Sequence, residues 1–149
     1  MGGYNTVVVG TDGSETSFRA VDRAAALAHD SGAPLVIACA YEPADERNLA
    51  HEQDVLGPEA YQVVGSAPAE DTVSRARDRA AAQGAGPIAT VVVQGKPADS
   101  LQQVAKEQGA DLLVVGNRGL NTLAGRIIGS VPLDVARHAS VDVLIVHTT

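Results

Sequence analysis

A chain of 149 residues fits one domain and can bury about 68–70% of its unfolded surface, so it needs no disulfide or metal staple to fold. Its net charge of −7 excludes nucleic acid as a general partner, because phosphate backbones are held by basic faces; one small anion gripped by backbone amides stays compatible. The single cysteine, Cys39, fits a reducing compartment, and no apolar run approaches the ~20 residues of a membrane span, so a cytoplasmic protein without a membrane partner is expected.

In chain order, "TVVVG" at 6–10 reads as a first buried strand, followed by the turn "TDGS". A helix opens at Ser14, with Phe18, Val21, Ala25 and Ala28 on one face and Arg19, Asp22 and Arg23 off it. "LVIACAY" at 35–41 is the second strand and holds Cys39 as a buried structural thiol. Segment 42–66, with Pro43, Gly57, Pro58 and clustered acids, is too long for an ordinary connection. A flap over a site and a solvated excursion are both open readings of it. A helix from Ala67 carries Val73, Ala76 and Ala80, and "IATVVVQ" at 88–94 is the third strand. The next helix starts at Pro97, groups Leu101, Val104 and Ala105, and stops at Gly109. "LLVVG" at 112–116 leads into a glycine-rich loop, a short helix near Pro132 to His138, and a last strand in "VDVLIVHT".

Strands apolar on both faces that alternate with helices predict a single α/β domain over 1–149, with a doubly wound parallel sheet covered by helices on both sides. Ligands of such sheets bind beyond the carboxyl ends of the strands, where strand order reverses. If it reverses between strands 1 and 4, the turn Gly10 to Ser14 faces the loop "GNRGLNTLAGRIIGS" at 116–130. That loop reads G-x2-G-x9-G-S. Gly116 and Gly119 let amides approach an anion closely, and Gly129 and Ser130 sit at the mouth of the last helix, where unpaired N–H groups favour negative charge. Ser130 adds a hydroxyl, or simply caps the helix.

Asp12 offers a carboxylate to ribose hydroxyls, or it shares with Ser14 the capping of the first helix. Gly10 and Thr11 offer backbone to the same ligand, and the Ala40 backbone is placed to read the edge of a flat base. Asn117 and Arg118, between the first two glycines, join the candidate set; Arg118 and Arg126 are the only cations in the ligand loops. Other chemistries lack their residues. There is no G-x-x-x-x-G-K-[ST], no G-x-G-x-x-G after the first strand, no G-x-S-x-G elbow, and no metal-ligand spacing among the four histidines.

"TVVVGTDGS", "ADLLVVGNRG", "GSVPLDVARHA" and "VDVLIVH" together resemble the universal stress protein family, across the whole chain except 42–66. The resemblance implies strand order 3-2-1-4-5 and ATP or another adenine nucleotide in the crevice. It puts Asp12 on the ribose, the Ala40 backbone on the adenine, and Gly116, Gly119, Gly129, Ser130 and the Val131 amide on phosphate. Compact members with a long mid-chain loop include some that prefer cyclic AMP. The absence of lysine from both ligand loops agrees with that preference, whereas bound ATP would bring Mg2+. A homodimer through the last strand, Val141 to His147, is also implied. One departure is Gly125, where bulkier residues are usual.

The leading expectation is a regulatory adenine-nucleotide-binding protein, since no acid–base or nucleophilic pair is assembled. The alternative is a slow ATPase or self-phosphorylating enzyme using Asp12 and Ser130. A purely structural dimer with a vestigial loop is disfavoured by the intact glycine spacing.

Overall fold

The strands carry apolar residues at consecutive positions because each lies between two helix layers. In the computed structural model, which describes residues 3–42, 66–117 and 131–148, they are β1 (Val7–Gly10), β2 (Leu35–Tyr41), β3 (Ile88–Gln94), β4 (Leu112–Gly116) and β5 (Asp142–Val146). Helices α1 (Glu15–Ser31), α2 (Ser66–Ala82), α3 (Pro97–Glu107) and α4 (Val131–His138) connect or precede them. All described ladders are parallel and the order is β3-β2-β1-β4-β5, the predicted doubly wound sheet. The 43–65 and 118–130 segments lie outside the described residues, and with them the two readings of the mid-chain loop.

Alternation sorts the side chains into two cores. Val7, Val9, Leu35, Ile37, Cys39, Leu112 and Val114 face α1 and α2, while Val8, Val36, Ala38, Leu113 and Val115 face α3 and α4. Alanines line the first interface, Ala20, Ala24, Ala25 and Ala28 from α1 with Ala69, Ala76 and Ala80 from α2, so the helices lie close to the sheet. At the rim, Arg79 of α2 donates from Nε and Nη2 to the two carboxylate oxygens of Asp22, each at 2.8 Å, and from Nη1 to Glu15 at 2.8 Å. Arg75 and Arg79 both stack on the Phe18 ring, 5.3 and 5.6 Å from its centroid. These carboxylates hold the Arg79 guanidinium further above its ordinary value.

The first and last strands are shorter than the sequence reading. Thr6 is not in β1, because its N–H donates to the Asp111 carboxylate at 3.0 Å. β5 stops at Val146, because His147 and Thr148 leave the ladder to meet Asn117. Ser14 is the cap of α1, accepting from the Ser17 N–H at 3.1 Å, and Gly32 closes that helix in the left-handed region (φ 66°). Among the described residues no helix is long and apolar enough to cross a membrane.

Candidate functional site

β1 is short, and its shortness shapes the carboxyl edge of the sheet. Its ladder with β2 ends at Gly10↔Ala38, closed by the Thr11 N–H donating to the Ala38 carbonyl at 3.0 Å. β2 runs on beside β3 to Tyr41↔Gln94. In a parallel sheet alternate residues turn both N–H and C=O to the same neighbour. Ala38 turns to β1, so Ala40 does as well, beyond the last β1 rung. On the other side the β1–β4 ladder ends at Val9↔Val114, while β4 continues along β5 to Gly116↔Val146. By the same alternation Gly116 turns its backbone toward β1, again past the ladder's end. The two strands flanking β1 therefore direct backbone groups into the space where β1 has stopped, at the point where winding reverses.

The β1–α1 turn stands over that space. Thr11 is buried; its Oγ1 accepts from the Gly13 N–H at 3.1 Å and lies 2.6 Å from Ser17 Oγ. Asp12 is exposed, and its Oδ1 accepts from the Ser14 N–H at 2.9 Å. Ser14 caps the helix and Asp12 only braces the turn, so the Asp12 charge stays available to a ligand. Its field reaches Cys39 at the end of β2: burial first, and the Asp12 charge second, push the Cys39 thiol up to about 12. Cys39 is fully buried, which makes it the structural thiol its apolar surroundings predict.

Gly10 has a reason unconnected with any ligand. A β-carbon there would lie 2.5 Å from Leu101 Cδ1 on α3, so the helix sits where a side chain would be. Gly116 is partly similar: its β-carbon would meet Thr148 Cγ2 at 3.3 Å.

Asn117 is placed in a way the sequence does not foretell. Its Oδ1 accepts from the Thr148 N–H at 2.8 Å and from Thr148 Oγ1 at 3.1 Å, and its Nδ2 faces His147 Nδ1 at 3.1 Å. The Asn117 N–H continues the β5 ladder to the Val146 carbonyl at 2.9 Å, and Arg19 Nη1 of α1 donates to the Thr148 carbonyl at 2.9 Å. Thr148 and Arg19 carry no motif, so sequence reasoning missed them; a polar pair after an apolar strand has no pattern of its own. Val131 opens α4, with Pro132 in its first turn. Because α4 runs back to feed parallel β5, that end lies at the carboxyl edge of the sheet. Arg118, Gly119, Gly129 and Ser130 lie outside the described residues.

A shallow groove lined by Glu70, Val73, Ser74, Arg77, Thr90 and Val92 opens between α2 and edge strand β3. It collects none of the predicted site residues and lies away from the reversal of winding. Among the described residues no three His, Cys, Asp or Glu side chains group as metal ligands.

Comparison with known proteins agrees with the topology. The profile described as "Universal stress protein family" matches residues 3–147. Universal stress protein Rv1636 of Mycobacterium tuberculosis is 52% identical over 149 residues, all of both chains. Universal stress protein YxiE of Bacillus subtilis is 31% identical over 147 residues, covering 96% of this chain and 99% of that one. A crystal structure of a universal stress protein in complex with cyclic AMP is 48% identical, superposes with a TM-score of 0.77, and covers 99% of both chains. With its strand order, its registers and a match along nearly its whole length, this chain belongs to the universal stress protein family.

Proposed function

We propose that this chain is a cytoplasmic regulatory protein that binds an adenine nucleotide, ATP or cyclic AMP, between the ends of β1 and β4. The observation that carries the reading is the pair of backbone edges, Ala40 and Gly116, turned into the space beyond β1 with the Asp12 carboxylate above. Asp12 takes the ribose hydroxyls, the Ala40 backbone the edge of the base, and Gly10 and Thr11 the floor of the site. Gly116, Gly119, Gly129, Ser130 and the Val131 amide hold phosphate, as the G-x2-G-x9-G-S spacing and the partial positive charge of a helix start favour. Cyclic AMP is supported by the 48%-identical relative that was crystallised with it and by the absence of lysine from both ligand loops. If the ligand is ATP, Mg2+ accompanies it; such ions usually take one or two carboxylates plus phosphate oxygens, and among the described residues Asp12 is the carboxylate placed to serve it.

Binding without turnover is the function proposed. Among the described residues Asp12 is the only carboxylate placed at the site, and no base or nucleophile is aligned with it. A second copy pairs along β5, from Val141 to His147, where the edge strand exposes Ile145 and leaves Val143 and Leu144 half-buried. The test is to denature purified protein, identify any released nucleotide, and titrate refolded protein calorimetrically with cyclic AMP and ATP. Saturable binding of either supports the reading. Absence of binding at millimolar concentration overturns it, and multiple-turnover ADP release abolished by Asp12→Ala replaces it with an ATPase.

A further inference from the structure

Thr148, two residues beyond the end of β5, is 1% exposed. Every polar group it has is engaged. Its N–H and Oγ1 donate to Asn117 Oδ1, and its carbonyl accepts from Arg19 of α1. The backbone N–H of Thr148 can only donate, so it fixes the Asn117 amide with Oδ1 toward Thr148 and Nδ2 toward His147 Nδ1, which accepts. Thr148 Cγ2 packs against Gly116, 3.3 Å from where a β-carbon would sit.

We propose that Asn117 and Thr148 form a latch that positions the Gly116 turn, so that nucleotide binding and docking of His147 and Thr148 are thermodynamically coupled. The inference rests on the nucleotide reading above and makes Asn117 a positioning residue, not a ligand contact. The physical argument is adjacency. Gly116 turns its backbone toward β1 and the candidate site, while the N–H of the very next residue is committed to Val146 of β5 and its side chain to Thr148. One peptide bond joins the two, so a ligand drawing on the Gly116 amide loads the turn that the latch holds. The latch also reaches α1 through Arg19, and α1 begins just after the Asp12 turn. Both sides of the site are thus tied to the same residue. By linkage, whatever the latch adds to nucleotide affinity, nucleotide must return as protection of the latch.

The test uses the full chain, cyclic AMP and ATP. In the unmodified protein, saturation with the nucleotide that binds should slow hydrogen exchange of the Thr148 amide by about fivefold or more, the lower end of ordinary coupling between sites. Thr148→Pro, which lacks both the N–H and the hydroxyl that bind Asn117, and Asn117→Ala should each weaken binding by about fivefold, and the double variant should be no weaker than the worse single one, because both remove the same contact. Two results overturn the latch while leaving nucleotide binding intact. One is unchanged Thr148 exchange with nucleotide bound. The other is unaltered affinity in Thr148→Pro; a loss confined to Asn117→Ala would then make Asn117 a direct contact. If the unmodified protein binds neither nucleotide, the reading beneath the latch fails first and the coupling falls with it.

Discussion

The β-carbon that Gly10 lacks would lie 2.5 Å from Cδ1 and 2.8 Å from Cδ2 of Leu101. The bare backbone at the end of β1 is therefore the seat of α3 as well as a floor for the candidate site. Gly10→Ala should cost about 1–3 kcal/mol by overpacking. Leu101→Ala should cost about 2–5 kcal/mol, and the double variant less than the sum, because the truncated leucine makes room for the new methyl. Urea denaturation of the four proteins checks this. Additive losses would show that Gly10 and Leu101 do not share the contact.

Arg79 holds two carboxylates of unequal exposure. The Asp22 side chain is 28% exposed and is gripped through two parallel bonds, whereas Glu15 is 73% exposed and has one. Solvent screening leaves exposed pairs near zero, so Asp22→Ala should cost about 1 kcal/mol and Glu15→Ala a few tenths. Equal costs in thermal unfolding would mean that the α1–α2 staple does not depend on the bidentate geometry.

At the opposite edge of the sheet, Asp111 accepts from the backbone N–H groups of Thr6 and Asn5, at 3.0 Å each. These bonds, that from Thr6 first, hold its carboxyl below the ordinary range. Its folded value is thus the lower one. The stability it contributes is complete above the ordinary carboxylate value, about 3.9, and is lost as pH falls through the folded value. Asp111→Asn should be less stable than the parent at pH 7, and the gap should narrow below about pH 4. Urea midpoints between pH 7 and pH 3 measure it; a gap that widens on acidification contradicts the assignment.

Cys39 is buried and its thiol is pushed up to about 12. Iodoacetamide at pH 8 should therefore label it only through unfolded protein, at a rate that follows the unfolding equilibrium in urea. Rapid labelling of the native protein would contradict its structural role.

Much of this was legible before any coordinates. The bounds of β2, β3 and β4 coincide with their apolar runs, because a strand buried on both faces has to be apolar without interruption. Pro97 and Gly109 bracket α3 for local backbone reasons that no tertiary contact overrides. The order 3-2-1-4-5 came from the family resemblance, since alternation alone leaves several doubly wound sheets open. Long-range pairs were not legible. Nothing in "GTDGS" announces that Leu101 stands over Gly10, and nothing in "HTT" announces that Thr148 docks on Asn117, because contacts between residues distant in sequence leave no local pattern. Asn117 shows the same gap: its place between two glycines suggests a ligand contact, and nothing local announces that its side chain also binds Thr148.

The most direct test of the central claim is amide chemical-shift mapping of 15N-labelled protein during titration with cyclic AMP and ATP. Binding at the reversal of winding predicts that the largest shifts fall on Ala40, Gly116 and the Thr11–Asp12 turn, saturating together with one affinity. Unshifted amides at Ala40 and Gly116 up to millimolar nucleotide, or shifts gathered instead along the groove between Glu70 and Val92, would contradict it.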